Sequence, residues 1–417
     1  MKILFAKLFF SLLFISLTSA ASAQVISELQ KWLAQDRSAR PTLSQQAFAT
    51  KPISSKEAER AKKLILEDRK SYLRKVWTAE WQDKEFKHDN YTFKFDFKIF
   101  GEKPADGRSL YISLHGGGGT TKEVNDQQWR NQQRLYTPAE GIYVAPRAPT
   151  DSWNMWHQEH IDYFLDRLIQ AAIVFEDVNP DKVYIMGYSA GGDGVFQLAP
   201  RMADRWAAAA MMAGHPGDAT ALNLRNIGFT IHMGGKDAAY KRNDLARRWG
   251  VLLDSLQKSD PEGYVHAVTV HEGLPHWMNR RDSVAVPWMA KFKRNPFPSK
   301  IIWQQDDVKH EQFYWVKVPP TSAKENQALV ITYKNNEIDI LKSAYDTLII
   351  KLNDDMMNLN KKVTVRLNGE KIFSGKLKRT LLPVWQSIEM RTDEQAVFSS
   401  QIMVVDKKVL TSVSGYI

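Results

Sequence analysis

Gly187-Tyr188-Ser189-Ala190-Gly191 places a serine between two glycines, each two positions away, directly after the apolar run Val183-Tyr184-Ile185-Met186. A strand that ends in such a pentapeptide can make a sharp strand-to-helix turn, lifting the serine hydroxyl clear of the backbone where a base can take its proton. The chemistry this suits is nucleophilic acyl transfer. The bare pattern arises by chance in roughly one chain in ten of this length, so its weight comes from the strand before it and from three further stretches.

The first is His115-Gly116-Gly117-Gly118-Gly119, after the apolar run Leu110-Tyr111-Ile112-Ser113-Leu114. Attack on a carbonyl puts negative charge on its oxygen, and backbone N–H groups must already point there. Glycines let the backbone approach without side-chain obstruction. The expected donors are Gly116 or Gly117 and the amide of Ala190. The glycines also fit a flexible turn, but no Lys-Ser/Thr pair follows them, which argues against a phosphate loop. The second stretch is Met233-Gly234-Gly235-Lys236-Asp237, where a carboxylate could orient a histidine and stabilise its cation. Asp218 is the second choice, and Asp193 lies too close to Ser189 in the following helix to reach. The third is Leu274-Pro275-His276-Trp277, beyond the last apolar strand. His276 is the preferred base and His271 the runner-up. The order Ser189, Asp237, His276 follows one functional residue per strand end.

The elements that must position these residues read as alternating strands and helices. Tyr91, Phe93, Phe95, Phe97 and Ile99 alternate with polar residues, as a half-buried strand does. Short apolar runs follow at 110–114, 142–145, 183–186, 207–212, 229–233 and 265–270. Helix-like stretches separate most of them, notably 161–176 and 245–256, predicting an α/β class with a mainly parallel sheet covered on both faces. Ahead of this, residues 24–88 read as a polar helical segment. Ser54 and Glu57 have capping-box spacing, with Ala58, Ala61, Ile65, Tyr72 and Val76 on one face. The segment is expected to pack on the outside of the catalytic domain, 89–298. After the breaker Asn295-Pro296-Phe297-Pro298-Ser299 nearly every segment is strand-like, predicting an antiparallel β-sandwich over 299–417. Asn368-Gly369 is a strong hairpin signal there and Asn335-Asn336 a weaker one.

On these motifs, residues 90–295 resemble the α/β-hydrolase superfamily, particularly secreted esterases similar to polyhydroxybutyrate depolymerases and feruloyl esterases. Features are shared with prolyl-oligopeptidase-like catalytic domains. The resemblance implies that Ser189 is the nucleophile, His276 the base and Asp237 the acid, with the oxyanion site at Ala190 and the start of the glycine loop. Two departures stand out. Many depolymerases carry disulfides, and this chain has no cysteine. The length ahead of His115 leaves no room for a propeller. Dienelactone hydrolases use a cysteine nucleophile, so that chemistry is excluded.

Composition sets the remaining expectations. The 417 residues are 43% hydrophobic, enough for a large core. Residues 1–23 read as an export signal: Lys2 and Lys7, an apolar stretch from Leu8 to Leu17, and Ala21-Ser22-Ala23 before Gln24. A periplasmic or secreted protein without a stable membrane anchor is expected. The absence of cysteine rules out disulfides and thiol chemistry. The formal charge is +10, or +8 without Lys2 and Lys7, in an intermixed pattern that resembles no nucleic-acid arm. A solvated surface is the main reading, with an acidic substrate or anionic envelope surface as the alternative. No metal or organic cofactor is required, and the oligomeric state stays open.

The expected partner is a small-molecule or carbohydrate-linked ester. Trp153, Trp156 and His157, after a strand end, are candidates for a substrate pocket, as is Tyr188; the three loop residues could equally just pack the loop. The short stretch between Gly214 and Phe229 leaves little room for a large lid, which favours short-chain or carbohydrate-linked esters. Two alternatives to an esterase are a serine peptidase with the same triad and an inactive hydrolase-fold binding protein. For the sandwich, an accessory structural role is preferred over surface attachment, since Trp303, Trp315 and Trp385 form no recognisable platform.

Overall fold

The computed structural model describes residues 24–411; the segment read as an export signal lies outside them. The apolar runs become a mixed eight-stranded sheet. Its strands are β1 (Glu85–His88), β2 (Tyr91–Phe100), β3 (Arg108–Leu114), β4 (Gly141–Arg147), β5 (Val178–Tyr188), β6 (Ala208–Met212), β7 (Gly228–Gly234) and β8 (His266–His271). The order is 1-2-4-3-5-6-7-8, with β1 antiparallel to β2, β2 antiparallel to β4, and every later neighbour parallel. This is the strand order of the α/β-hydrolase fold. After β3 the chain crosses to β4 on one side and returns to β5 on the other, so the crevice above β3 and β5 is the topological switch point where such sheets hold ligands. The glycine loop leaves β3 and Ser189 ends β5, one on each side of that crevice.

Residues 24–33 are helical (α1), followed by α2 (Ser55–Asp83); the sheet is covered by α3 (Lys122–Gln132), α4 (Glu159–Glu176), α5 (Ala190–Arg201), α6 (Arg242–Ser259) and the short α7 (Ala285–Met289). Every residue of β6 and β7 is buried, as parallel strands covered on both faces require. β8, at the sheet edge, has no fully buried residue.

The capping box forms as expected: Glu57 N donates to Ser54 Oγ at 3.3 Å, and Ser54 N donates to Glu57 Oε2 at 2.8 Å. The apolar face of α2 differs from its reading. Ala58, Ala61 and Ile65 are buried, but the stripe continues through Leu66, Leu73 and Trp81, while Tyr72 and Val76 are exposed. The helix meets two different neighbours, and the buried face rotates between them. Its first half packs with α1 against α8 (Leu381–Arg391), bringing Val25, Leu29, Ala61 and Ile65 onto Leu381, Val384 and Ile388. Its second half lies on α4, where Arg74 Nε donates to Val174 O at 3.2 Å and Trp81 stacks on Phe175. The N-terminal segment thus covers the C-terminal unit as well as the hydrolase fold. Residues 85–88, assigned to it from sequence, instead form the first strand of the sheet.

Beyond the breaker, ten strands form two five-stranded sheets. One holds β9 (Lys300–Gln304), β12 (Ala328–Lys334), β13 (Glu337–Ser343), β15 (Lys362–Leu367) and β16 (Glu370–Lys376). The other holds β10 (Gln312–Phe313), β11 (Val316–Lys317), β14 (Thr347–Leu352), β17 (Ser400–Val405) and β18 (Lys408–Leu410). The ladders are antiparallel except for β13 with β15. Both hairpin dipeptides adopt left-handed backbone: φ is 50° and 82° at Asn368 and Gly369, and 51° and 64° at Asn335 and Asn336. Trp303 and Trp315 are core residues.

This sandwich and the hydrolase fold share one continuous apolar core. A buried ionic cluster joins them. Arg294 donates to Asp181 Oδ1 at 2.7 and 2.9 Å and pairs with Asp393 at 2.7 Å, while Arg205 pairs with Asp166 at 2.9 Å and lies 3.7 Å from Asp393. Burial pushes the Asp393 carboxyl up, but Arg294 and Arg205 outweigh it and hold it below the usual carboxylate range.

Candidate active site

The turn after β5 holds Ser189 at φ 57°, ψ −122°, a strained conformation for a residue with a side chain. Close packing around it explains the glycines. A Cβ on Gly191 would sit 2.1 Å from Leu114 O, so only glycine lets the start of α5 lie against the end of β3. Ser189 N donates to Met212 O at 2.9 Å, tying the turn to β6.

The three polar side chains meet above the sheet edge. His276 Nε2 is 3.0 Å from Ser189 Oγ, and His276 Nδ1 is 2.6 Å from Asp237 Oδ2. Asp237 is 4% exposed, and its other oxygen lies 3.5 Å from Arg242. The loop carrying His276 rests on the glycines that precede Asp237: Lys236 N donates to Leu274 O at 2.9 Å, and a Cβ on Gly234 would meet Pro275 O at 2.1 Å. Tyr188 fixes the same loop from below. Its hydroxyl donates to His276 O at 2.6 Å and accepts from Met278 N at 3.0 Å. The competitors bond to other groups. Asp193 accepts from His215 N at 2.6 Å, Asp218 accepts from Gln197 at 3.0 Å, and His271 faces His232 at 3.4 Å.

The glycine loop is held by groups that no sequence motif marks. Buried Asn125 accepts from Gly118 N at 2.8 Å and donates to Thr121 O at 3.1 Å. Gly119 N donates to Asp151 O at 2.8 Å. Gly116 leans on Ser189, where a Cβ would lie 3.1 Å from the serine Cβ. Gly117 has φ 107°, and a Cβ there would strike Asn125 Oδ1 at 2.3 Å. Ala190 is the first residue of α5, where backbone amides have no partner inside the helix. Gly117→Ala is therefore expected to distort the loop and to cost about 1–3 kcal/mol of unfolding free energy, read from urea titration. Far-ultraviolet circular dichroism should stay close to wild type.

His115 anchors the loop's root. Burial pushes its imidazole down to about 3, so it is neutral, with Nδ1 donating to Gly116 O at 2.6 Å and Nε2 accepting from Ala148 N at 3.1 Å. The unfolded chain takes up this proton below about pH 6.5, whereas the folded chain refuses it until about pH 3. His115 thus favours the folded state fully above pH 6.5, and that contribution is lost as pH falls towards 3. Buried His232, pushed down to about 4, acts with the same sign. Relative to wild type, His115→Gln is expected to lower the slope of unfolding free energy against pH between 7 and 5 by up to about 1 kcal/mol per pH unit. Urea titrations at several pH values measure both slopes.

Two cavities flank Ser189. One of about 640 Å³ is lined by Gly116, Gly117, Tyr188, Ser189, His276 and Trp277, with polar side chains from α3 and the loops beyond. The other, about 410 Å³, is lined by Gly117, Gly118, Trp153, His157, Ser189, Ala190 and Tyr240. Trp153 is 71% exposed and packs edge-on against His157. Trp156 corrects the sequence reading. It is fully buried, packs beneath Gly194 and donates its indole N–H to His115 O at 2.9 Å, so it supports the loop and does not line a cavity. Among the described residues no group of three or more histidine, aspartate or glutamate side chains is placed to hold a metal, and no helix is long and apolar enough to cross a membrane.

No family model and no curated protein matches the chain. Solved structures similar to it include a thermostable esterase, at 18% identity and TM-score 0.38, covering 50% of this chain and 62% of that one. Others are the feruloyl esterase module from Clostridium thermocellum complexed with sinapinate (14%, 0.36, 50% and 86%) and an S-formylglutathione hydrolase from Agrobacterium tumefaciens (13%, 0.39, 50% and 93%). The chain therefore spans less than two thirds of the first of these. The α/β-hydrolase assignment rests on the strand order and the turn at Ser189.

Proposed function

We propose that the protein is a serine hydrolase cleaving carboxylic esters through an acyl-enzyme. The observation that carries this reading is the continuous hydrogen-bonded line from Asp237 through His276 to Ser189, beside the glycine loop. His276 Nε2 takes the Ser189 proton as Oγ attacks the ester carbonyl. Asp237 holds the imidazole so that Nδ1 keeps its proton, and stabilises the cation that forms. The amide of Ala190 and that of Gly116 or Gly117 receive the charge on the carbonyl oxygen. The carbonyl–oxygen bond then breaks, and His276 returns the proton to the leaving alcohol. Water repeats the sequence on the acyl-serine and releases the acid.

Trp153, His157 and Tyr188 serve as walls for the two halves of the ester. The open crevice supports short or carbohydrate-linked esters over long acyl chains. Labelling by a fluorophosphonate at Ser189, with hydrolysis of p-nitrophenyl acetate or butyrate, tests the reading; an unlabelled, inactive protein overturns it, and faster cleavage of peptide amides than of esters replaces it with a peptidase. Export follows from residues 1–23, and the mature chain is expected to begin at Gln24. N-terminal sequencing of material secreted by the expressing cell checks this.

A further inference from the structure

The larger cavity beside Ser189 is unbalanced in charge. Arg134, from the end of the α3 region, and Arg280, from the loop after His276, both line it, and no aspartate or glutamate does. Gln128, Asn131 and Gln132 add uncharged polar groups to the same wall. Other arginines around the site are neutralised: Arg147 by Asp126 at 2.9 Å and by Asp151, and Arg242 by Asp237 at 3.5 Å. Arg134 and Arg280 pair with no carboxylate among the described residues; Arg134 makes one long contact, to Asn131 Oδ1 at 3.5 Å. Asp282, two residues after Arg280, is buried and accepts the Tyr136 hydroxyl. The smaller cavity differs, for the Asp193 carboxyl lies on its wall.

Two unpaired guanidinium groups facing one reacting serine leave a positive field that a bound anion would satisfy. Resting on the serine-hydrolase reading above, we propose that Arg134 and Arg280 form an anion-binding subsite selecting esters that carry a carboxylate or phosphate on the half entering the larger cavity. The uncharged half then occupies the side lined by Trp153 and His157. Arginine suits this task because its planar fork can hold either group through paired hydrogen bonds.

The test compares kcat/KM within matched ester pairs, in wild type and in the double variant Arg134→Gln/Arg280→Gln. One pair places the anion in the acyl half (p-nitrophenyl hemisuccinate against p-nitrophenyl butyrate). The other places it in the alcohol half (3-carboxyphenyl acetate against phenyl acetate), with a phosphate-bearing phenyl acetate as a further arm. In one pair the anionic-to-neutral ratio is expected to fall by about 10-fold to 100-fold on going from wild type to the double variant, the scale of charge-assisted hydrogen bonds. The wild-type ratio should also fall as salt rises. Both arginines are exposed, so an unchanged melting midpoint is expected. A ratio unaltered by the double substitution in every pair overturns the subsite while leaving the hydrolase reading intact. Absence of turnover of all five esters, together with no fluorophosphonate labelling of Ser189, overturns both.

Discussion

Ser189→Ala is expected to abolish labelling by fluorophosphonates and to lower ester turnover by about 10⁶-fold, the scale found when a nucleophilic serine is removed from such a triad. Its neighbours predict a graded series. Asp237→Asn leaves the shape intact but lets His276 present the wrong nitrogen to the serine, at a cost of about 10⁴-fold. His276→Ala should resemble the serine variant, because the groups act as a unit. The same serine also tests the backbone. At φ 57°, ψ −122° a side chain is strained, and such residues cost on the order of 1–3 kcal/mol. Ser189→Gly is therefore expected to be as inactive as Ser189→Ala and at least as stable. A clear loss of stability in the glycine variant would contradict the strained turn. Retained turnover in the alanine variant would remove Ser189 from the chemistry.

The second large effect is expected far from the crevice, at Asp393. This carboxylate is fully buried and faces Arg294 at 2.7 Å and Arg205 at 3.7 Å. Asp393→Ala leaves two buried cations with one shared counter-charge fewer, and breaking such a cluster typically costs about 3–5 kcal/mol. Asp181 and Asp166 still neutralise part of it, so the lower end applies. The cluster lies where the sandwich meets the hydrolase fold. Chemical denaturation should therefore show the two units of the variant losing stability together, with one transition shifted to lower denaturant. A variant as stable as wild type would show that the cluster does not hold the units together.

Much of the candidate site is legible in the sequence because its requirements are local. Gly191 and Gly234 are glycines because a backbone carbonyl occupies the place of a Cβ, and that constraint marks the strand ends carrying Ser189 and Asp237. Hairpin turns at Asn335-Asn336 and Asn368-Gly369 are legible for the same reason: two successive residues must adopt positive φ. What was not legible depends on contacts made across the chain. Trp153 and Trp156 lie three apart in an irregular loop with no period to say which turns inward; Gly194 and His115 O decide it by receiving Trp156. Asn125 matches no motif, yet it holds the glycine loop because α3 brings it beneath Gly118. The apolar spacing of Leu381, Val384 and Ile388 signals a helix, but α8 lies among strands and carries Pro383 near its start. Tyr72 and Val76 continue the period of α2, yet the helix exchanges one partner for another before reaching them.

The pairing of the first helices with α8 bears on how the chain is made. Val25, Leu29, Ala61 and Ile65 find their cover on Leu381, Val384 and Ile388, more than three hundred residues later. At synthesis rates of about 5–20 residues per second, roughly 15–70 s pass before the residues that shield those apolar surfaces have been made. During that interval the nascent chain presents a sticky amphipathic arm, and a holding chaperone that masks it would raise the yield of folded protein more than one acting on the finished chain.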